Sequence, residues 1–234
     1  MQNPSAEPAP SAALLALIPA YNEAAHISGV VRAARQYLPV LVIDDGSTDD
    51  TAALARAAGA RVLIQQPNQG KGAALLRGFS AALQEGVEAV VTLDADGQHD
   101  PAEIPAFLRH RAETQADLII GKRNFRQMPA VRRLSNTLGT VLFSWAAGQP
   151  IADNQSGYRL ISQRLMRLLI EQPSRERGFE FEVEMIVRCI QHGLKLDWVE
   201  IRTIYAGEKS HIRPLAHLAG FLQLCWRTRQ ILKS

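Results

Sequence analysis

Two carboxylates one residue apart, Asp94 and Asp96, stand in the stretch Asp94-Ala95-Asp96-Gly97-Gln98-His99. Just before it runs Val87-Glu88-Ala89-Val90-Val91-Thr92-Leu93, apolar and β-branched, which predicts a buried strand. If the strand conformation persists, both carboxylates leave on one side and repel each other unless a positive charge lies between them. A hard divalent cation meets that need, and Gln98 adds a neutral oxygen. Mg2+ or Mn2+ suits such a set, usually in company with substrate phosphates. Gly97 lets the backbone turn sharply or come close to a ligand. The competing reading is a polar strand-to-helix loop in which Asp100-Pro101 starts the next helix. The two readings divide the stretch: Asp100 as cap, Asp94 and Asp96 as site.

Other residues could serve the same chemistry. Lys71, within Gly70-Lys71-Gly72, could lie near a phosphate. It does not make a phosphate loop of the GxxxxGK type, because Gly72 stands where Ser or Thr is needed. Asp44-Asp45 could accept hydrogen bonds from a base or ribose, or could simply form a turn. No GxGxxG follows the first predicted strand, which argues against a dinucleotide enzyme. Glu180, Glu182 and Glu184 fall at a predicted helix start, where acids are favourable with no catalytic duty. Glu182 is the candidate general base if a hydroxyl must be deprotonated. An anionic acceptor would need cations instead, and Arg123, Arg132, Arg133, Arg159 and Arg213 are available. Arg132 and Arg133 read equally well as solvated helix surface.

The elements that must position these groups follow from periodicity. Strands are predicted at 14–18, 38–43, 61–65, 87–93 and 117–121. Helices alternate with them: one starting near Glu23 with Ile27, Val30, Val31 and Ala34 on one face, then 50–58, 73–85 and 101–114. Pro19 is expected to end the first strand, and Ser47 or Thr48 to cap the second helix. This alternation predicts a mostly parallel, doubly wound sheet, which binds ligands outside the carboxyl ends of its strands. The loops at 19–23, 44–49, 70–72 and 94–98 all fall at those ends. After Gly121-Lys122-Arg123 the rhythm weakens. Helices are expected at 131–148, 162–171 and 180–192, a short strand at 160–161, a late strand at 196–205 and an apolar-aromatic helix at 215–232. The chain thus divides into a disordered tail at 1–13, one domain at 14–213 and a C-terminal apolar and basic helix at 214–234.

Composition sets outer bounds. A chain of 234 residues, 47% hydrophobic and 21% charged, can bury a sizeable core and is not a disordered polymer. Cys189 and Cys225 lack CxxC spacing, which suggests a reducing compartment and no zinc. The net charge of +3 hides an asymmetry: residues 1–120 carry 8 basic and 14 acidic residues, and residues 121–234 carry 18 and 9. An acidic half could hold a cation, and a basic half could meet phosphates or an anionic membrane surface. No apolar run reaches the length of about 18–20 residues that spans a bilayer. Residues 12–20 are apolar but short and lack a basic leader, so they read as the first strand rather than a signal peptide.

Seven motifs then occur in one order: Pro19-Ala20-Tyr21-Asn22-Glu23, Asp44-Asp45-Gly46-Ser47-Thr48-Asp49, Asn68-Gln69-Gly70-Lys71-Gly72, Asp94 to His99, Gly121-Lys122-Arg123, Asp153 to Arg159 and Tyr205 to His211. With them the chain resembles the family 2 glycosyltransferases, in particular the dolichyl- and polyprenyl-phosphate sugar (mannose or glucose) synthases, over residues 14 to 213. The resemblance implies a GT-A fold, a Rossmann-like α/β architecture with a mostly parallel sheet flanked by helices. It implies an inverting, metal-dependent transfer, with Mg2+ or Mn2+, from a nucleotide-sugar donor to a polyprenyl phosphate at the membrane face. The alternative is a hydroxyl acceptor on a lipid or saccharide. Carried onto this chain, Pro19, Tyr21, Glu23 and Asp45 would border the nucleotide, with Asp94, Ala95 and Lys71 on the same side. Asp96 and Gln98, with Asp94, would hold the cation. Arg123 would face the donor phosphates or sugar, and Ser156, Gly157, Tyr158 and Arg159 would shape the sugar and acceptor side, with Glu182 there too. Lys209-Ser210-His211 would form a basic loop closing over the donor, where relatives often carry Lys in place of His211, and Asp96, Arg123, Arg159 and Arg213 would be the catalytic residues. The expected location is cytoplasmic and peripheral at the inner membrane face, with no nucleic-acid partner.

Overall fold

The structure, a computed structural model, describes residues 14–123, 130–172, 181–202 and 214–232. The expected tail at 1–13 and the loop holding His211 and Arg213 lie outside the described residues.

Strict alternation governs the first half of the chain: β1 (Leu14–Ala20), α1 (Ile27–Ala34), β2 (Val40–Asp44), α2 (Thr51–Ala57), β3 (Arg61–Ile64), α3 (Lys71–Gln84) and β4 (Ala89–Thr92). A short turn at Pro101–Glu103 leads into α4 (Ile104–Thr114) and β5 (Leu118–Arg123). There follow α5 (Ala130–Ala147), β6 (Arg159–Ser162), α6 (Gln163–Glu171), α7 (Phe181–Gln191), β7 (Leu196–Ile201) and α8 (Pro214–Ile231). The strands form one sheet in the order β3-β2-β1-β4-β6-β5-β7. All its pairings are parallel except those of β6, which runs antiparallel to both β4 and β5.

Apolar residues face both ways along the central strands because both sheet faces are covered. Leu15, Leu17, Leu41 and Ile43 pack with Leu75 and Phe79 of α3, Phe143 of α5, Leu165 of α6, Ile186 of α7 and Cys225 of α8. Their neighbours Ala16, Ile18, Val40 and Val42 pack on the other face with Val31 of α1, Ala55 of α2 and Phe107 of α4.

Three local expectations are corrected. Pro19 does not end β1, since it pairs in register with Ile43. Its ring nitrogen faces the β4 side, where the β1–β4 pairing has already ended at Leu17 and Thr92, so no ladder bond is lost. The first helix begins at Ile27, four residues after Glu23, and buries the four apolar residues expected of it. Ser47 and Thr48 do not cap α2; both bind Asn22, and the Asp49 carboxylate instead accepts from the Thr51 N–H. The Asp100 cap is present, its side chain accepting from the Ala102 N–H ahead of α4.

Candidate active site

The loops after β1, β2, α3's approach and β4 lie along one sheet edge and are bonded in sequence. The Asn22 N–H donates to Ser47 Oγ at 2.9 Å, and Thr48 N–H donates to Asn22 Oδ1 at 2.8 Å. Asn22 itself sits at φ 54°, a left-handed conformation Asn tolerates, which turns its amide toward the second loop. Asp45 joins the second loop to the third: its buried carboxylate accepts from Gln65 Nε2, the Gln69 N–H and the Gly70 N–H at 2.7–2.9 Å. Lys71 joins the third loop to the fourth, its Nζ lying 2.6 Å from Asp94 Oδ1. Of the expected nucleotide-side residues, Pro19 and Ala95 are buried, Glu23 is half-buried and Tyr21 is exposed.

β4 stops at Thr92, so Asp94 and Asp96 do not project as strand neighbours. The chain turns instead: Asp96 Oδ1 accepts from the Gln98 N–H at 2.9 Å, and Gly97 takes φ 79°, a conformation that favours glycine. Asp94 and Asp96 therefore face different partners within one loop. His99 is buried, and its Nδ1 accepts from the Asp94 N–H at 3.0 Å. That bond requires the neutral ring with the proton on Nε2, and desolvation, only partly offset by Asp94, lowers the His99 pKa in keeping with it. The 3.7 Å approach of the same nitrogen to Asp94 Oδ2 is accordingly not an ion pair.

Lys71 also reaches Glu182 Oε1, at 2.9 Å, so one ammonium bridges carboxylates from the β4 loop and from α7. Desolvation would lower the Lys71 pKa, but Asp94 and Glu182 outweigh it and raise it. Desolvation would likewise raise the pKa of Asp94, yet the Lys71 ammonium, with Arg123 adding to it, holds it down at about 2. Glu182 is only 3% exposed, and its Oε2 has no hydrogen-bond partner among the described residues. Glu184 does something else, pairing along the helix with Arg188 at 2.9 Å.

On the other side of Asp94 lies the loop from Asp153 to Arg159. Gly157 presses its bare Cα against the Lys71–Asp94 pair: a Cβ there would stand 2.8 Å from Lys71 Nζ and 3.0 Å from Asp94 Oδ2. Thr92 Oγ1 holds that backbone in place by donating to the Gly157 carbonyl at 2.8 Å. Arg123, at the end of β5, makes a two-pronged bond to Asp153, with Nε 2.7 Å from Oδ2 and Nη2 3.0 Å from Oδ1. Asp153 received no role from the sequence. Its partner is thirty positions away, and no local spacing could have pointed to it.

Arg159 departs from its expected part. It is fully buried, and its guanidinium donates to the carbonyls of Ser156, Asn154 and Glu182. Burial lowers its pKa to about 10, with Glu182 and Asp153 opposing that fall. Arg159 therefore clamps the loop onto α7 and does not face an acceptor. Tyr158 is likewise core: its ring stacks on His99 at 5.0 Å, and its hydroxyl donates to the Asp100 carbonyl. Ser156 is buried, with no partner for its Oγ among the described residues.

The loop at Asp94–Gln98 offers carboxylate and amide oxygens only, the donor set of a hard cation. Among the described residues no three His, Cys, Asp or Glu side chains converge into a cage. The residues fit a Mg2+ or Mn2+ whose shell is completed from outside the protein, by phosphate oxygens and water.

The glycosyl transferase family 2 profile matches residues 16–167. The chain is 31% identical, over 204 residues, to an undecaprenyl-phosphate mannosyltransferase of Micrococcus luteus, covering 80% of this chain and 82% of that one. It is 28% identical, over 229 residues, to a UDP-N-acetylglucosamine–dolichyl-phosphate N-acetylglucosaminyltransferase of Methanococcus voltae, covering 88% and 90%. Its structure is similar to that of glucosyl-3-phosphoglycerate synthase from Mycobacterium tuberculosis in complex with Mn2+, UDP and glucosyl-3-phosphoglycerate. That likeness has a TM-score of 0.69 and 24% identity over 93% of this chain and 78% of the other, and it establishes the GT-A fold.

Proposed function

Because the chain belongs to glycosyl transferase family 2, we propose that it is an inverting glycosyltransferase moving a sugar from a nucleotide-sugar donor to a polyprenyl phosphate at a membrane face. The observation that carries the acceptor class is the pair α5 and α8. These helices pack together, with Phe221 beside Gly139, and turn Leu138, Val141, Trp145, Leu222 and Trp226 outward, Val141 and Trp226 each being about 60% exposed. Neither helix contains an acidic residue, and Arg133, Arg227 and Arg229 lie along them. An apolar row with basic flanks suits the boundary of an anionic bilayer. The segment that carries α5 leaves β5 at Arg123 and comes back past Asp153 ahead of β6, and these two residues are bonded beside the site. A lipid phosphate held at such a surface would arrive next to the donor. The relatives' names support the same acceptor class.

In this reading Pro19, Tyr21, Glu23 and Asp45 border the nucleotide, while Asp96 and Gln98, with Asp94 beside them, hold a divalent cation. That cation, when bound, offsets the charge that develops on the leaving nucleoside diphosphate. Arg123, oriented by Asp153, contributes positive charge near the transferring sugar, and Ser156 and Gly157 shape the acceptor side. His211 belongs to the basic loop expected over the donor, and Arg213 offers a cation to the acceptor phosphate. A phosphate acceptor is already anionic near neutral pH and needs no proton removed. One observation favours the hydroxyl-acceptor alternative: the Oε2 of Glu182, without a hydrogen-bond partner among the described residues, could take a proton from a hydroxyl.

The test is a panel of radiolabelled nucleotide sugars, each incubated with Mn2+ or Mg2+ and a short polyprenyl phosphate, followed by organic extraction. Label in the organic phase with one donor supports the proposal. Label that stays aqueous with every donor, while a lipid or saccharide hydroxyl acceptor becomes glycosylated, replaces it with the alternative.

A further inference from the structure

Lys71 is bound in a way that simple structural bridging does not require. An ammonium has three N–H donors. Lys71 directs one to Asp94 Oδ1 at 2.6 Å and one to Glu182 Oε1 at 2.9 Å. Glu182 alone would anchor the lysine, since a buried carboxylate needs a counter-charge. The shorter contact nevertheless goes to Asp94, a partly exposed residue on the loop that also carries Asp96 and Gln98. The third wall is Gly157, where any β-carbon would displace both members of the Lys71–Asp94 pair. Three separate elements, α3, α7 and the loop before β6, thus converge to keep an ammonium on Asp94.

We propose that Lys71 is a positioning residue that acts as a resident counter-cation for Asp94, held there by Glu182 and Gly157, so that a divalent cation is directed to the Asp96–Gln98 side of the loop. The inference rests on the reading of that loop as the cation site. Two carboxylates of one loop would otherwise draw a cation between them before any donor arrives. With Asp94 already compensated, the protein alone holds the cation weakly, and the donor's diphosphate is needed to complete the shell.

Binding of Mn2+ in the absence of any nucleotide tests this, followed by loss of the free-ion electron paramagnetic resonance signal. Lys71→Gln is expected to tighten Mn2+ binding by about tenfold or more. In an Asp94→Asn background the same change should have less than about a twofold effect, because the group that Lys71 compensates is gone. Lys71→Arg, which keeps the charge, should stay close to the parent. If Lys71→Gln proves unstable in a melting experiment, Gly157→Ala serves instead. It retains every charge, spreads the pair by a few tenths of an ångström, and should tighten binding by a smaller factor. The proposal is overturned if Lys71→Gln or Gly157→Ala leaves Mn2+ affinity unchanged or weaker, or if the gain is equal with Asn at position 94. The underlying reading fails separately: Asp96→Ala binding Mn2+ as tightly as the parent would remove the cation from this loop altogether.

Discussion

At the scale of single residues, two arginines with the same charge have been given different work by their surroundings. Arg123 is partly exposed and braced by the Asp153 carboxylate. Arg159 is sealed inside, and all its described partners are uncharged carbonyls. A guanidinium fits that role because its planar fork can reach three acceptors at once. Replacing Arg159 with Met would leave the buried carbonyls of Ser156 and Asn154 unpaired, each costing about 1–3 kcal/mol, while the Glu182 carbonyl stays paired within α7. Arg159→Met is therefore expected to lose at least about 2 kcal/mol of stability in a urea titration. A variant with unchanged stability but a raised KM for the acceptor would return Arg159 to the acceptor site.

At the scale of elements, the position of Lys71 depends on how closely α3 lies on the sheet. Gly78 sets that distance: a Cβ there would stand 2.4 Å from Leu17 Cδ1 and 2.7 Å from Cδ2. Leu17 is fully buried in a strand paired on both sides, so it has little room to yield. Alanine would gain about 1 kcal/mol of helix propensity. Overpacking costs about 1–3 kcal/mol and should outweigh it. Gly78→Ala is expected to lower the melting temperature by several degrees, roughly what a net loss of about 1 kcal/mol produces. A stabilised variant would mean that α3 can lift from β1 without cost.

At the scale of the whole molecule, charge and apolar surface coincide. The basic excess lies in residues 121–234, and within them α5 and α8 combine an acid-free sequence with the exposed tryptophans. Arg229 ties the two helices together: its guanidinium lies 4.2 Å from the centre of the Trp145 ring, and it donates to the Trp145 carbonyl. No helix of the described residues is long and apolar enough to cross a membrane. The expected behaviour is flotation with vesicles containing anionic lipid at low salt, release at high salt, and weakening by Trp226→Ser. Protein that stays entirely at the bottom of the gradient at low salt would remove the membrane from the proposed function.

The sequence by itself determined what short-range rules control. Alternating apolar runs and amphipathic stretches located the strands and helices of the first half, and turn chemistry located the Asp100 cap and the polar loops at one sheet edge. Those rules act over a few residues, so one sequence carries them in full. Only the tertiary structure decided which charges meet. Lys71 finds Glu182, Arg123 finds Asp153, and Asp45 turns back onto Gln69 and Gly70 through contacts between segments far apart in the chain. The antiparallel insertion of β6 between β4 and β5 is of the same kind, because a four-residue buried strand reads identically in either direction. It is that insertion which brings Gly157 against Asp94 and draws Arg159 into the core, where burial and backbone carbonyls, not its residue type, fix what it does.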